Sequence, residues 1–204
     1  MFGYLKRWWL KTIQVRKSWT HHTYIALDIE TSGLDPNTDQ LLAVAWVEIT
    51  PPVIDYKTGR YYLIKHDQTD LKQSPVVHGL VSKDFLETTE PRAMLEQLAE
   101  ILRGKVLVCH HIQLDWSFLK HAARQHGIKL EPLALFDTLA FEAKRLKRQQ
   151  HHIERGSLTL AACRARYGLP EYNAHHAFSD AVGCGELMLA QGYKFAGSSK
   201  SRLW

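Results

Sequence analysis

Cysteine is scarce in this chain: three residues in 204, Cys109, Cys163 and Cys184, odd in number and widely spaced. That excludes the dense disulfide framework of a small secreted module and leads to an expectation of reduced, mostly buried thiols in a cytoplasmic protein. Long apolar runs are absent as well. No stretch approaches the roughly 20 residues that a membrane-spanning helix needs. Trp8-Trp9-Leu10 lies near the start, but no continuous apolar core and small-residue cleavage site surround it, so a secretory signal is not expected. Internal repeats are missing too, which removes solenoid architectures.

What is present fits one domain with a sizeable core. A hydrophobic content of 45% and a charged content of 23% are those of an ordinary soluble globular protein. The formal charge of +5 and a pI near 9.1 admit a polyanionic partner without demanding one, since a solvated basic surface gives the same balance.

Residues 1–20 form a basic, amphipathic extension. Phe2, Leu5, Trp8 or Trp9, and Ile13 recur at helical spacing among Lys6, Arg7, Lys11, Arg16 and Lys17. Packing against the domain is the first expectation, ahead of a basic arm on nucleic acid or a membrane-surface helix. Tyr24 to Ile29 reads as a buried strand, Leu41 to Ile49 as a second, and Tyr61 to Lys65 as a short third, with Pro51 to Gly59 as the connection. A short helix and loop are expected around Val76-Val77-His78-Gly79-Leu80. The period then changes. Helices are expected over Pro91–Arg103, Leu114–His126, from Asp137 through Lys144-Arg145-Leu146-Lys147-Arg148, over Ser157–Tyr167 and over Ala177–Gln191, with short strands at Lys105–Cys109 and Leu133–Phe136. Strands first, then alternating helix and strand, give an α/β fold: a mixed sheet of three antiparallel and further parallel strands, flanked by helices. Residues 196–204 are expected to be a mobile tail.

Three places gather chemistry. Asp28 and Glu30 are two apart on the first strand, so both project to one side, where two desolvated acids repel unless a cation compensates. Oxygen ligands suit Mg²⁺ or Mn²⁺; the alternative is a strand end whose acids reach solvent. Asp115 follows His110-His111 in the first turn of a helix, where an acid also serves simply to start the helix. Asp180 sits on an otherwise apolar helix and needs a partner, a cation or a Lys/Arg salt bridge. His176, four residues before it, would share its face, whereas His175 would lie on the preceding loop; spacing does not choose between them. Cys109-His110-His111 lacks the convergence a zinc site needs.

Asp28-x-Glu30 with Thr31-Ser32-Gly33-Leu34, then His110-His111-x-x-x-Asp115, then His175-x-x-x-x-Asp180, resembles the three motifs of the DEDDh 3′–5′ exonucleases, a family that includes proofreading subunits, RNase T and oligoribonuclease. The resemblance runs from about Tyr24 to Gln191, making residues 21–195 the exonuclease domain, and Val77-His78-Gly79-Leu80 and Phe136-Asp137-Thr138-Leu139 extend it. It implies an RNase H-like fold, Asp28, Glu30, Asp115 and Asp180 around two Mg²⁺ or Mn²⁺, and His175 as general base. It also implies that Thr31, Gly33 and Leu34 meet the terminal nucleotide. His111 stands where the family usually has Asn, a departure that touches substrate or Asp115 but leaves the acids in place.

The resemblance implies hydrolysis of phosphodiesters from a free 3′ end, where the acids alone would serve an endonuclease equally well; DNA is expected ahead of RNA, with a polymerase or repair protein as a further partner. An ordinary imidazole, with a pKa of about 6.5, offers an accepting form at neutral pH. Lys144, Arg145, Lys147 and Arg148, with His151, His152 and Arg155 beyond, would guide the strand by its phosphates, or else form a solvated helix end. A non-catalytic binding module that kept the fold is the reading from another class; the complete set of acids argues against it.

Overall fold

The structure, a computed structural model, describes residues 18–66, 88–149 and 152–195. Most of the expected N-terminal helix, the expected helix around Val76–Leu80 and the expected tail of 196–204 lie outside the described residues.

Five strands form one sheet in the order β3-β2-β1-β4-β5. β1 (Tyr24–Thr31), β2 (Leu41–Thr50) and β3 (Val53–Leu63) are antiparallel neighbours, while β4 (Val106–Cys109) and β5 (Ala134–Asp137) run parallel to β1. Among the described residues, five α-helices flank it: α1 (Pro91–Ile101), α2 (Ile112–Gln125), α3 (Thr138–Gln149), α4 (Leu160–Arg166) and α5 (Ala177–Phe195), with α3 and α4 packed against α5. Pro91 opens α1 at a position where its missing N–H costs nothing. Gly104 and Gly127 follow α1 and α2 at φ 72° and 67°, left-handed positions that favour glycine.

β1 divides the core by alternation. Ile25, Leu27 and Ile29 join Leu95 and Leu98 of α1 and Phe118 and Leu119 of α2. Tyr24 and Ala26 face the other way, onto Val47, Ile49, Cys184 and Met188. Each such large apolar side chain taken from water contributes about 1.5–3 kcal/mol. Gly185 lets α5 settle onto the sheet, because a β-carbon there would lie 2.6 Å from Ile49 Cδ1. Asp28 and Glu30 continue the row of Ala26, so they emerge on the α5 side.

The third strand differs from expectation. The turn is only Pro51-Pro52, and β3 starts at Val53, with Thr50 paired to it. Residues 53–59 read as a connection because this is an edge strand with little apolar alternation: Val53, Asp55, Tyr56 and Lys57 are exposed. Between the pairs Trp46–Arg60 and Glu48–Asp55, β3 also carries three residues more than β2, which breaks the period of two. The bulge has a use: Gly59 leaves room for the Phe178 ring, which would lie 2.7 Å from a β-carbon there.

Candidate active site

The C-terminal ends of the parallel strands share one edge of the sheet, the usual place for ligand chemistry in such folds. β1 delivers Asp28 and Glu30 there. Their cross-strand neighbours on β2 are Ala45 and Ala43, small side chains that leave space beside the carboxylates. α5 brings Asp180 in its first turn, and carboxyl oxygens of Asp28, Glu30 and Asp180 lie within 4.8 Å of one another.

Asp115 approaches from α2 and is almost wholly buried. Among the described residues its Oδ2 has no hydrogen-bond partner. Burial pushes its carboxyl pKa up to about 8. Asp28 is raised well above the usual carboxylate range, by burial first and then by Asp115, Asp180 and Glu30. Glu30 is raised by burial and by Asp180, against the pull of His175 and His176. Acids held so that they resist ionising together form a site that favours a hard cation. The all-oxygen donors and the orphaned Asp115 oxygen fit that group.

The two histidines separate in space. His175 is exposed at φ 66°, and its backbone N–H donates to Asp180 Oδ2 at 3.1 Å. The His176 ring stacks on Tyr61 of β3, with centroids 5.0 Å apart. His175 is thus exposed and joined to the acids through its backbone, while the His176 ring is part of the wall.

His110 and His111 also take different duties. The His110 ring nitrogens lie 2.8 Å from Thr138 Oγ1 and 2.8 Å from the Leu158 carbonyl, which ties β4 to the loop before α4 rather than to a metal. His111 caps α2 in the left-handed region, φ 83° and ψ 53°. Asn tolerates that conformation better than most residues, which gives a backbone reason for the family's Asn there. His111→Asn is therefore expected to stabilise the protein by up to about 1 kcal/mol, or roughly 2–4 °C in Tm. Scanning calorimetry checks it, and an unchanged or lower Tm would place the strain elsewhere.

Asp137, expected only to open a helix and to extend the family pattern, joins two helix starts through its carboxylate. It accepts from the backbone N–H groups of His111 (3.2 Å), Ile112 (3.2 Å), Leu139 (2.9 Å) and Ala140 (3.1 Å). An acid between a strand and a helix is a capping signal, but its reach to α2 is tertiary. Tyr172 was missed altogether; its hydroxyl donates to Asp180 Oδ1 at 2.6 Å. Among the described residues no Lys or Arg is bonded to Asp180; its hydrogen-bond partners are the Tyr172 hydroxyl and the His175 amide.

The turn after β1 is braced from below. Asp39 lies against Gly33, where any β-carbon would overlap its carboxylate, and Thr31 Oγ1 donates to the Gly33 carbonyl at 2.6 Å. Leu34 is left 77% exposed at the tip. Of the basic run, Lys144, Lys147 and Arg148 are exposed on α3. Arg145 is not a free cation. It forks onto Glu142, fully buried and shared with Arg166 and Tyr167, and makes up part of a structural ion cluster.

The RNase_T family model, described as Exonuclease, matches residues 25–188. The chain belongs to that exonuclease family. Among curated exonuclease relatives, it is 25% identical over 183 residues to a PolC-type DNA polymerase III of Thermotoga petrophila, covering 88% of this chain and 12% of that protein. It is likewise 25% identical over 178 residues to the 3′–5′ exonuclease DinG of Staphylococcus haemolyticus, covering 86% and 19%. The chain thus spans less than a fifth of these relatives. Its fold matches E. coli exonuclease I, solved in complex with a dA16 oligonucleotide, with a TM-score of 0.71 at 13% identity, over 86% of this chain and 42% of that one. Among the described residues, no helix is long and apolar enough to cross a membrane.

Proposed function

We propose that this chain is a metal-dependent 3′–5′ exonuclease that shortens single-stranded DNA and releases nucleoside 5′-monophosphates. The observation that carries the reading is the meeting of Asp28, Glu30 and Asp180 within 4.8 Å, with exposed His175 beside them. Asp28, Glu30 and Asp180 would hold two Mg²⁺ or Mn²⁺ together with Asp115. Such ions supply charge for the phosphoryl oxygens, a more acidic water and help for the leaving 3′-oxygen. His175 takes the proton of the attacking water as the new P–O bond forms and the bond to the preceding 3′-oxygen breaks. Asp180, through the His175 amide, keeps that base at the edge of the acid cluster. Leu34, raised on the Gly33 turn, offers an apolar contact to the terminal nucleoside. Lys144, Lys147 and Arg148 meet phosphates further along the strand.

The names of the PolC-type polymerase and DinG relatives favour DNA and a replication or repair partner. Three buried, free cysteines support a reducing, cytoplasmic setting. Matched 5′-labelled DNA and RNA oligonucleotides, incubated with the full chain and Mn²⁺, test the reading. DNA is expected to shorten stepwise from its 3′ end, at least tenfold faster than RNA. Faster loss of RNA would reverse the substrate preference, and cleavage of circular single-stranded DNA would overturn the requirement for an end.

A further inference from the structure

Behind Asp180 lies a buried polar assembly that the chemistry above does not use. It begins on α4 with Arg164, which is 2% exposed. Arg164 Nη1 donates to the Gly183 carbonyl at 2.8 Å and meets Glu186 at 2.6 Å; Nη2 donates to the Pro170 carbonyl at 3.1 Å. The guanidinium lies over the face of Tyr172, 4.5 Å from the ring centroid. Gly183, one turn beyond Asp180 on α5, leaves the gap for this stack. A β-carbon there would stand 3.2 Å from the Tyr172 ring and 3.3 Å from Arg164 Nη1. At the far end, the Tyr172 hydroxyl donates to Asp180 Oδ1 at 2.6 Å.

We infer that Tyr172 is a positioning residue of the acid cluster, its ring clamped by the Arg164–Glu186 pair and its hydroxyl fixing the Asp180 carboxylate for cation binding. This rests on the reading of Asp180 as a metal ligand. The terminal torsion of an Asp side chain is broad, so an unrestrained carboxylate swings and must be ordered when it binds. Here both oxygens are already held, Oδ1 by Tyr172 and Oδ2 by the His175 amide, and each keeps lone pairs for a metal. A cation over an aromatic face holds the ring without adding another charge to the crowded acids. Partners of this kind, which orient a ligand without touching the metal, typically carry a 10–100-fold effect on metal affinity.

Tyr172→Phe isolates the hydroxyl, because the ring and its stack on Arg164 remain. Mn²⁺ binding to the full metal-free chain is read by calorimetry and by the electron paramagnetic resonance of free Mn²⁺, alongside the Tm without metal. The expected result is Mn²⁺ affinity about tenfold or more below wild type with the metal-free Tm unchanged, and activity partly restored at high Mn²⁺. Affinity within twofold of wild type overturns the inference. Weakened binding accompanied by a lower metal-free Tm also overturns it, since it assigns Tyr172 a packing role alone. Failure of the wild-type chain to bind Mn²⁺ would overturn the metal reading itself, an outcome distinct from both.

Discussion

Asp28→Asn is expected to abolish nuclease activity, by about a thousandfold or more, and at the same time to raise the Tm of the metal-free protein. On the proposed reading of Asp28 as a metal ligand, the activity loss is an effect of several kcal/mol at about 1.4 kcal/mol per tenfold. The stability gain follows from the opposite account. Without metal, Asp28 is buried against Asp115, Asp180 and Glu30, and its raised pKa records how poorly the fold tolerates its charge. Asn keeps the shape and removes the repulsion.

The pH dependence has a definite sign. A carboxyl whose folded pKa is raised costs stability as pH climbs above its unfolded value, about 3.9 for Asp, and the cost levels off above the folded pKa. For Asp115 that window runs up to about pH 8. The metal-free wild type therefore loses stability from about pH 5 to 8, Asp28→Asn loses less, and the Tm gained on adding Mn²⁺ grows over the same interval. Thermal melts at pH 5.5, 6.5, 7.5 and 8.5, with and without Mn²⁺, give the answer. A variant that melts no higher than wild type without metal, or that keeps the full Mn²⁺-induced gain, would remove Asp28 from the centre of the site.

The second large effect belongs to His175. Its replacement by Ala should lower kcat by about 10²–10⁴, the usual contribution of a positioned general base, while Mn²⁺ affinity stays near wild type. His176→Ala should change kcat only a few-fold, because that ring is committed to Tyr61. Single-turnover kinetics at saturating Mn²⁺ separate the two. If His176→Ala proved the crippling change, the exposed imidazole would not be the base.

Local geometry singled out each acid in the sequence without deciding its role: Asp28-x-Glu30 by the alternation of a strand, Asp115 by the first turn of a helix, and Asp180 as a carboxylate on an otherwise apolar helix. Their union into one set of four came from the family resemblance. Spacing did not separate His175 from His176, and the family resemblance pointed to His175; the coordinates add that His176 stacks on Tyr61, a strand residue more than a hundred positions earlier. Tyr172 and Arg145 were opaque for the same reason. One is defined by an arginine on α4, the other by a glutamate that packing buried. β3 was misjudged because an exposed edge has no apolar rhythm to read.

Asp137 serves four amides with one carboxylate, so the beginnings of α2 and α3 are tethered at a common point. The Asp115 end of α2 and the face of α3 that carries Lys144, Lys147 and Arg148 are thereby kept in a set spacing. On the proposed reading, a strand running past both would be measured by that spacing, its footprint set by the joint rather than by the lengths of loops elsewhere.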